Sequence, residues 1–249
     1  MADGDHGAVH RLGCLILCLL PVLASAQSIP PQAEQYRRDL TRIAYSVWGL
    51  DAPIATLAGM AYVESRWNPD AVSPVGASGL MQVMPRTGAA LSRIYDIGPV
   101  DLFDPRWSML AAATLLKETY TRFKPNRTRP SAGYFSLAGY NGSPATLQRE
   151  ITLCAMDLHC DETRWFANVA DKSDRLLVSW QQNRKYVISV IGASEAYVDA
   201  ADGGCVLTDA DQASLCLFNG EKQPFSSPSS FHATVHDACL TPAILAISI

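Results

Sequence analysis

The sequence has little charge and nowhere concentrates it. Only 18% of its 249 residues are Asp, Glu, Lys or Arg, and the formal net charge is -4. No dense run of Lys or Arg occurs. The cationic stripe needed to displace phosphate counterions is therefore missing, which argues against a nucleic-acid binder. A long apolar run is also missing. Spanning a bilayer takes about 20 apolar residues, whereas the one clear run, Leu12 to Ala24, has 13 and contains Pro21. No Cys-x-x-Cys pair is present, and with the N-terminal leader (below) set aside the histidines are His159, His232 and His236. These offer neither a zinc ligand set nor a base beside a serine nucleophile, so no metal and no cofactor is expected. Sustained apolar-polar alternation, the mark of a strand core, is absent too.

What is present is enough apolar material for a folded protein, 48% of residues. Arg11, the apolar block Leu12–Ala24 and the small residues Ala24-Ser25-Ala26 read as a secretory signal over residues 1–26, cut after Ala26. Neither Cys14 nor Cys18 has the surroundings of a lipid-attachment cysteine. Removing the leader reduces seven cysteines to five: Cys154, Cys160, Cys205, Cys216 and Cys239. Export makes disulfides the natural reading, with Cys154–Cys160 and Cys205–Cys216 as the short-loop pairs, although spacing does not fix connectivity.

Residues 27–33, with Ile29-Pro30-Pro31, form an extended lead-in. From Glu34 to Val47, apolar residues recur at three- and four-residue spacing and predict a helix. Asp51 is expected to cap a second helix, with Pro53 in its first turn and Glu64 near its end. Asn68 to Gly79 reads as a loop and Leu80 to Leu91 as a short helix. Asp104-Pro105 opens a helix that stops before Pro125, and another runs from about Ser131 to Tyr140. Residues 34–198 are thus expected to be a mainly helical domain. The stretch 199–249, with Gly203-Gly204, Asn219-Gly220 and a Pro/Ser-rich segment from Pro224 to Ser230, reads as a tail without assigned structure. Its Asp199, Asp202, Asp209 and Asp211 do not fit a calcium loop.

Three segments place polar groups at discontinuities of the helical domain: Tyr62-Val63-Glu64-Ser65, Ser73 through Pro85, and Ala138-Gly139-Tyr140-Asn141-Gly142. A carboxyl partly desolvated at the end of an apolar helix has its neutral form favoured, and the negative helix terminus pushes the same way. Such a group suits a general acid near neutral pH. Glu64-Ser65, then Gly79-Leu80-Met81-Gln82-Val83-Met84-Pro85, then Tyr140-Asn141-Gly142, in that order and spacing, resemble the soluble lytic transglycosylase family of peptidoglycan-cleaving enzymes. The resemblance covers roughly Ile54 to Asn141 and includes Leu102-Phe103-Asp104-Pro105. This chain departs from the family pattern at Gly139 and Gly142, where alanines are usual, at Ser143, where glycine is common, and at Ser108, where asparagine is common.

The resemblance implies a lysozyme-like helical fold with a glycan-binding cleft. It also implies non-hydrolytic cleavage of the β-1,4 bond between N-acetylmuramic acid and N-acetylglucosamine, leaving a 1,6-anhydro end. Glu64 would act as acid and then base. Ser73, Gln82, Met84, Tyr140 and Asn141 would face or line the cleft, with Ser65 supporting the helix end. Bland readings stand beside these: Ser73 as a turn cap, Asn141 as a helix C-cap and Met84 as core. The partner would be the peptidoglycan strand and the setting the periplasm. Two alternatives are weighed. A lysozyme-like hydrolase would need a second carboxylate, for which Asp70, Asp96 and Asp101 are the candidates. A non-catalytic peptidoglycan-binding component of an envelope-spanning secretion or conjugation machine would hold the strand without cutting it.

Overall fold

Residues 29–198 are described in the computed structural model of the protein. The signal segment 1–26, the tail 199–249 and the Cys205–Cys216 pair lie outside the described residues or, for residues 27–33, partly so. Seven helices form the described part: α1 (Pro31–Trp48), α2 (Ile54–Ser65), α3 (Pro85–Tyr95), α4 (Pro105–Phe123), α5 (Arg129–Gly142), α6 (Pro144–Ala155) and α7 (Leu177–Val198). Short 3₁₀ turns occupy Gly49–Asp51 and Val169–Asp171. Among the described residues, extended pairing is confined to isolated bridges, Val72 with Ser78 and Ser78 with Val83. The mainly helical expectation is borne out.

Sequence explains most of the boundaries. A proline stands in the first turn of α1, α3, α4, α5 and α6, where its missing N–H costs no helical bond. The Asp104 carboxylate accepts from Arg106 N at 3.0 Å and caps α4 as expected. Thr128 does the same for α5, accepting from Ser131 N, so that helix begins at Arg129 and continues to Gly142 beyond the expected limits. Asp51, in contrast, is not a cap. It sits in the 3₁₀ turn before α2 and pairs with Arg129 at 3.4 Å, while Ala52 and Pro53 lead into the helix.

The expected helix from Leu80 to Leu91 begins only at Pro85. Gly79 has φ +78, Gln82 has φ 48, and Ser78 and Val83 exchange backbone hydrogen bonds at 3.2 and 3.0 Å. Two left-handed residues and a bridge are incompatible with a helical ladder, so Leu80–Met84 belong to the loop. At Gly79 the glycine is required twice over, because a Cβ there would also run into the Leu102 carbonyl.

Two helices are buried almost all round. Every residue of α2 from Ile54 to Ala61 is buried, as is every residue of α5 from Ser131 to Gly139. The period that marks a surface helix is therefore absent from them, as expected of central helices. α2 runs along α7, and α5 packs between α4, α6 and α7. Trp67, just past α2, stacks on Tyr36 of α1 with ring centroids 6.0 Å apart and donates its indole N–H to the Tyr197 hydroxyl of α7 at 2.8 Å. The end of α2 is thereby fixed to two other helices. Cys154 and Cys160 form a disulfide that closes the turn after α6.

Candidate active site

Glu64 lies in the last turn of α2, which ends at Arg66 in the left-handed conformation. It is partly buried. Burial pushes its carboxyl from 4.5 to about 7, while the neighbouring Tyr186 hydroxyl pulls the other way. Tyr186 Oη is buried and has no partner at full hydrogen-bond geometry, so the carboxyl is its neighbour rather than a tightly held ligand. Tyr140 completes the group. Its ring lies parallel to that of Tyr186, centroids 6.4 Å apart and 7° between planes, and both phenols are held well above their ordinary pKa by burial and by the nearby Glu64 charge. α2, α5 and α7 each contribute one of these residues.

The loop after α2 is built around the peptide of Met81. Ser108 Oγ, fully buried on α4, accepts from Met81 N at 3.1 Å, and the Tyr140 hydroxyl donates to Met81 O at 2.9 Å. Serine at position 108 thus supplies a bond from the place where asparagine is common in the family. Ser65 Oγ donates to Leu80 O at 2.7 Å and ties the loop to the end of α2. Gln82 Nε2 donates to Ala71 O and Gly79 O, both at 3.0 Å. Ser73 Oγ accepts from Ala77 N at 2.9 Å. The amide N–H groups of Gln82 and the hydroxyl of Ser73 therefore brace the loop, and for Ser73 the turn-capping reading describes the geometry.

A cleft of about 790 Å³ opens beside this group. Met84, Thr87, Tyr140, Asn141, Arg175 and Gln182 are among the residues on its walls. Met84 is 40% exposed there and is not a core residue. Of the residues singled out from the sequence, Met84, Tyr140 and Asn141 meet on this wall, and Tyr140 links it to Glu64. Ser73, Gln82 and Glu64 are not on its walls. The volume lies within the range of sites for small organic ligands.

Residues 48–154 match the Transglycosylase SLT domain family. The chain's relatives agree. The soluble lytic murein transglycosylase of Escherichia coli (strain K12) is 31% identical over 157 residues, 60% of this chain and 21% of that protein. The membrane-bound lytic murein transglycosylase F of Maricaulis maris (strain MCS10) is 40% identical over 85 residues, 34% of this chain and 17% of the relative. The chain thus spans about a fifth of the length of these relatives. An inactive mutant of the lytic transglycosylase Slt from Pseudomonas aeruginosa has a similar fold, with a TM-score of 0.50 and 22% identity over 70% of this chain and 25% of that one.

Tyr186 and Asn183 were not among the residues singled out from the sequence. Both lie on α7, about 120 residues from Glu64, outside the three motifs and outside the matched family segment.

Proposed function

We propose that the protein is a lytic transglycosylase that cleaves the β-1,4 bond between N-acetylmuramic acid and N-acetylglucosamine in peptidoglycan. The observation that carries this reading is the solitary character of Glu64. Burial and Tyr186 account for the shift of its carboxyl to about 7, and no second carboxylate contributes. A paired acid within a few ångström would add like-charge repulsion. The three candidates for a hydrolase's second carboxylate are otherwise placed. Asp101 Oδ1 accepts from Phe103 N and Asp104 N, Asp96 ends α3, and Asp70 acts electrostatically on Tyr36 of α1.

One carboxyl suffices when the substrate supplies the nucleophile. Glu64, protonated near neutral pH, donates to the glycosidic oxygen as the C1–O bond breaks. The acetamido group stabilises the anomeric carbon. The C6 hydroxyl of the same sugar then closes on C1 and gives its proton to the Glu64 carboxylate. Water is not consumed, and the acid is restored. Tyr140, Asn141 and Met84 would hold the glycan on the cleft wall, with Ser65, Ser73 and Gln82 keeping the loop in shape. We place the working domain at residues 34–198, behind an export signal at 1–26 and ahead of a tail at 199–249. A disulfide at Cys154–Cys160 and a cell-wall substrate both favour the periplasm.

Mass spectrometry of products from purified peptidoglycan tests the reaction. Anhydro-muramyl ends, lighter by one water than hydrolysed reducing ends, are expected, and reducing ends alone would replace this reading with a lysozyme-like one. Glu64→Gln should keep glycan binding and lose turnover by at least about 100-fold, since an amide has no proton to donate.

A further inference from the structure

Asn141 meets the cleft at the end of α5, and its amide is held from behind by a chain of side chains reaching into the interior. Glu150 on α6 is fully buried and faces two arginines. Its Oε2 accepts from Arg184 Nη1 at 3.0 Å, and Arg175 Nε lies 2.8 Å from its Oε1. Arg184 Nη1 also donates to Asn183 Oδ1 at 2.8 Å. Asn183, 1% exposed, donates through Nδ2 to Ala138 O and to Asn141 Oδ1, both at 3.0 Å.

The polarity of this chain is fixed by groups that have no choice. A guanidinium only donates, so the Asn183 atom facing Arg184 is oxygen. A backbone carbonyl only accepts, so the atom facing Ala138 is nitrogen. Reversing Asn183 would set donor against donor and acceptor against acceptor in a buried place. The nitrogen of Asn183 in turn demands the oxygen of Asn141. The Asn141 NH₂ is left pointing away from the interior, without a hydrogen bond to the protein among the described residues, on the wall of the cleft.

The third motif carries the matching change. A Cβ at Gly142 would lie 2.8 Å from Asn183 Nδ2 and would also collide with the Arg175 guanidinium. Alanine, usual in the family at this place, would push both side chains out, and glycine leaves the space they occupy.

We propose that Glu150, Arg184 and Asn183 are positioning residues that lock the Asn141 amide as a hydrogen-bond donor to the cleft, selecting ligands that present an acceptor oxygen there. Under the glycan-cleaving reading, on which this identification of the ligand rests, the acceptor is an acetamido carbonyl of the glycan strand.

Asn183→Asp reverses the last link, because a carboxylate accepts from both Arg184 and the Asn141 NH₂ and turns the Asn141 oxygen outward; its second oxygen then faces Ala138 O, so thermal unfolding first establishes that the variant is folded at the assay temperature. With peptidoglycan as substrate, this change should raise KM roughly tenfold, the effect of one lost neutral hydrogen bond, while leaving kcat within about twofold. Asn141→Ala should raise KM similarly, and adding Asn183→Asp to it should cost nothing more. Additive losses, or a fall in kcat with KM unchanged, would overturn the relay. Side-chain amide NMR of the unaltered full chain decides the matter independently of turnover. The Asn183 NH₂ protons should exchange slowly with solvent. Those of Asn141 should exchange fast and shift on titration with the tetramer of N-acetylglucosamine. A protected Asn141 NH₂ in the free protein refutes the orientation. Absence of any cleavage by the wild-type chain refutes the activity reading instead and leaves the orientation to the NMR result.

Discussion

At Glu64 the folded protein holds a proton that the unfolded chain releases. The carboxyl titrates at about 7 when folded against 4.5 as the ordinary value. Between these values the native state binds more protons than the unfolded one, so the contribution of Glu64 to stability falls as pH rises from about 4.5 to about 7 and is level above that. Glu64→Gln should therefore be more stable than the wild type at pH 8, by at most about 3 kcal/mol, and the gap should close near pH 4.5. Urea unfolding at the two pH values measures it, and an equal gap at both would show that burial does not govern this carboxyl. Under the proposed reaction the same titration sets the alkaline limb of kcat/KM, since a general acid must be protonated. The Tyr186 hydroxyl beside the carboxyl lowers its pKa. Tyr186→Phe should accordingly move that limb to higher pH, and a shift to lower pH would contradict the assigned direction.

At the scale of elements, the loop between α2 and α3 matters more than either helix. Its shape depends on two left-handed residues, Gly79 and Gln82, and on the Met81 peptide held from opposite sides by Ser108 and Tyr140. Gly79→Ala adds a Cβ at positive φ against the Leu102 carbonyl. A stability loss of about 1 to 3 kcal/mol is expected by thermal unfolding, together with lowered turnover, because the loop carries Met84 to the cleft. Apolar spacing made the body of α1 legible in the sequence and the Asp104-Pro105 cap made α4 so, whereas the proline-led starts of α1 at Pro31 and of α5 at Arg129 lie ahead of the expected Glu34 and Ser131. The helix expected from Leu80 was not legible as loop, because Leu80, Met81, Val83 and Met84 have a composition a helix accepts. The obstacle is the tertiary approach of Leu102, invisible to local spacing.

For the whole molecule, the buried Glu150–Arg175–Arg184 group joins α6, the segment before α7 and α7 itself. It carries two positive charges and one negative in a site from which water is largely excluded, with the Arg184 guanidinium also lying 4.9 Å from the Trp165 ring centre. Glu150→Ala would leave both arginines without their counter-charge. Losses of about 3 to 5 kcal/mol are typical when one partner of a buried pair is removed. A change in denaturation free energy below about 1 kcal/mol would show that the arginines find solvent easily. Nothing in the sequence distinguished Glu150 from a surface glutamate, because its partners Arg175 and Arg184 come from α7 and the segment before it, 25 and 34 residues further along the chain.

The sequence by itself determined the mainly helical class, the Asp104 cap and the three motifs holding Glu64, Tyr140 and Asn141, since each rests on residues close together or on spacing along one helix. Tertiary structure alone decided that Tyr186 stands beside Glu64 and that Asn183 turns the amide of Asn141. Those relations join residues separated by tens to more than a hundred positions, and they depend on which faces of α2, α5 and α7 meet. Burial, which raises the Glu64 carboxyl to about 7, is a property of that meeting and of no segment alone.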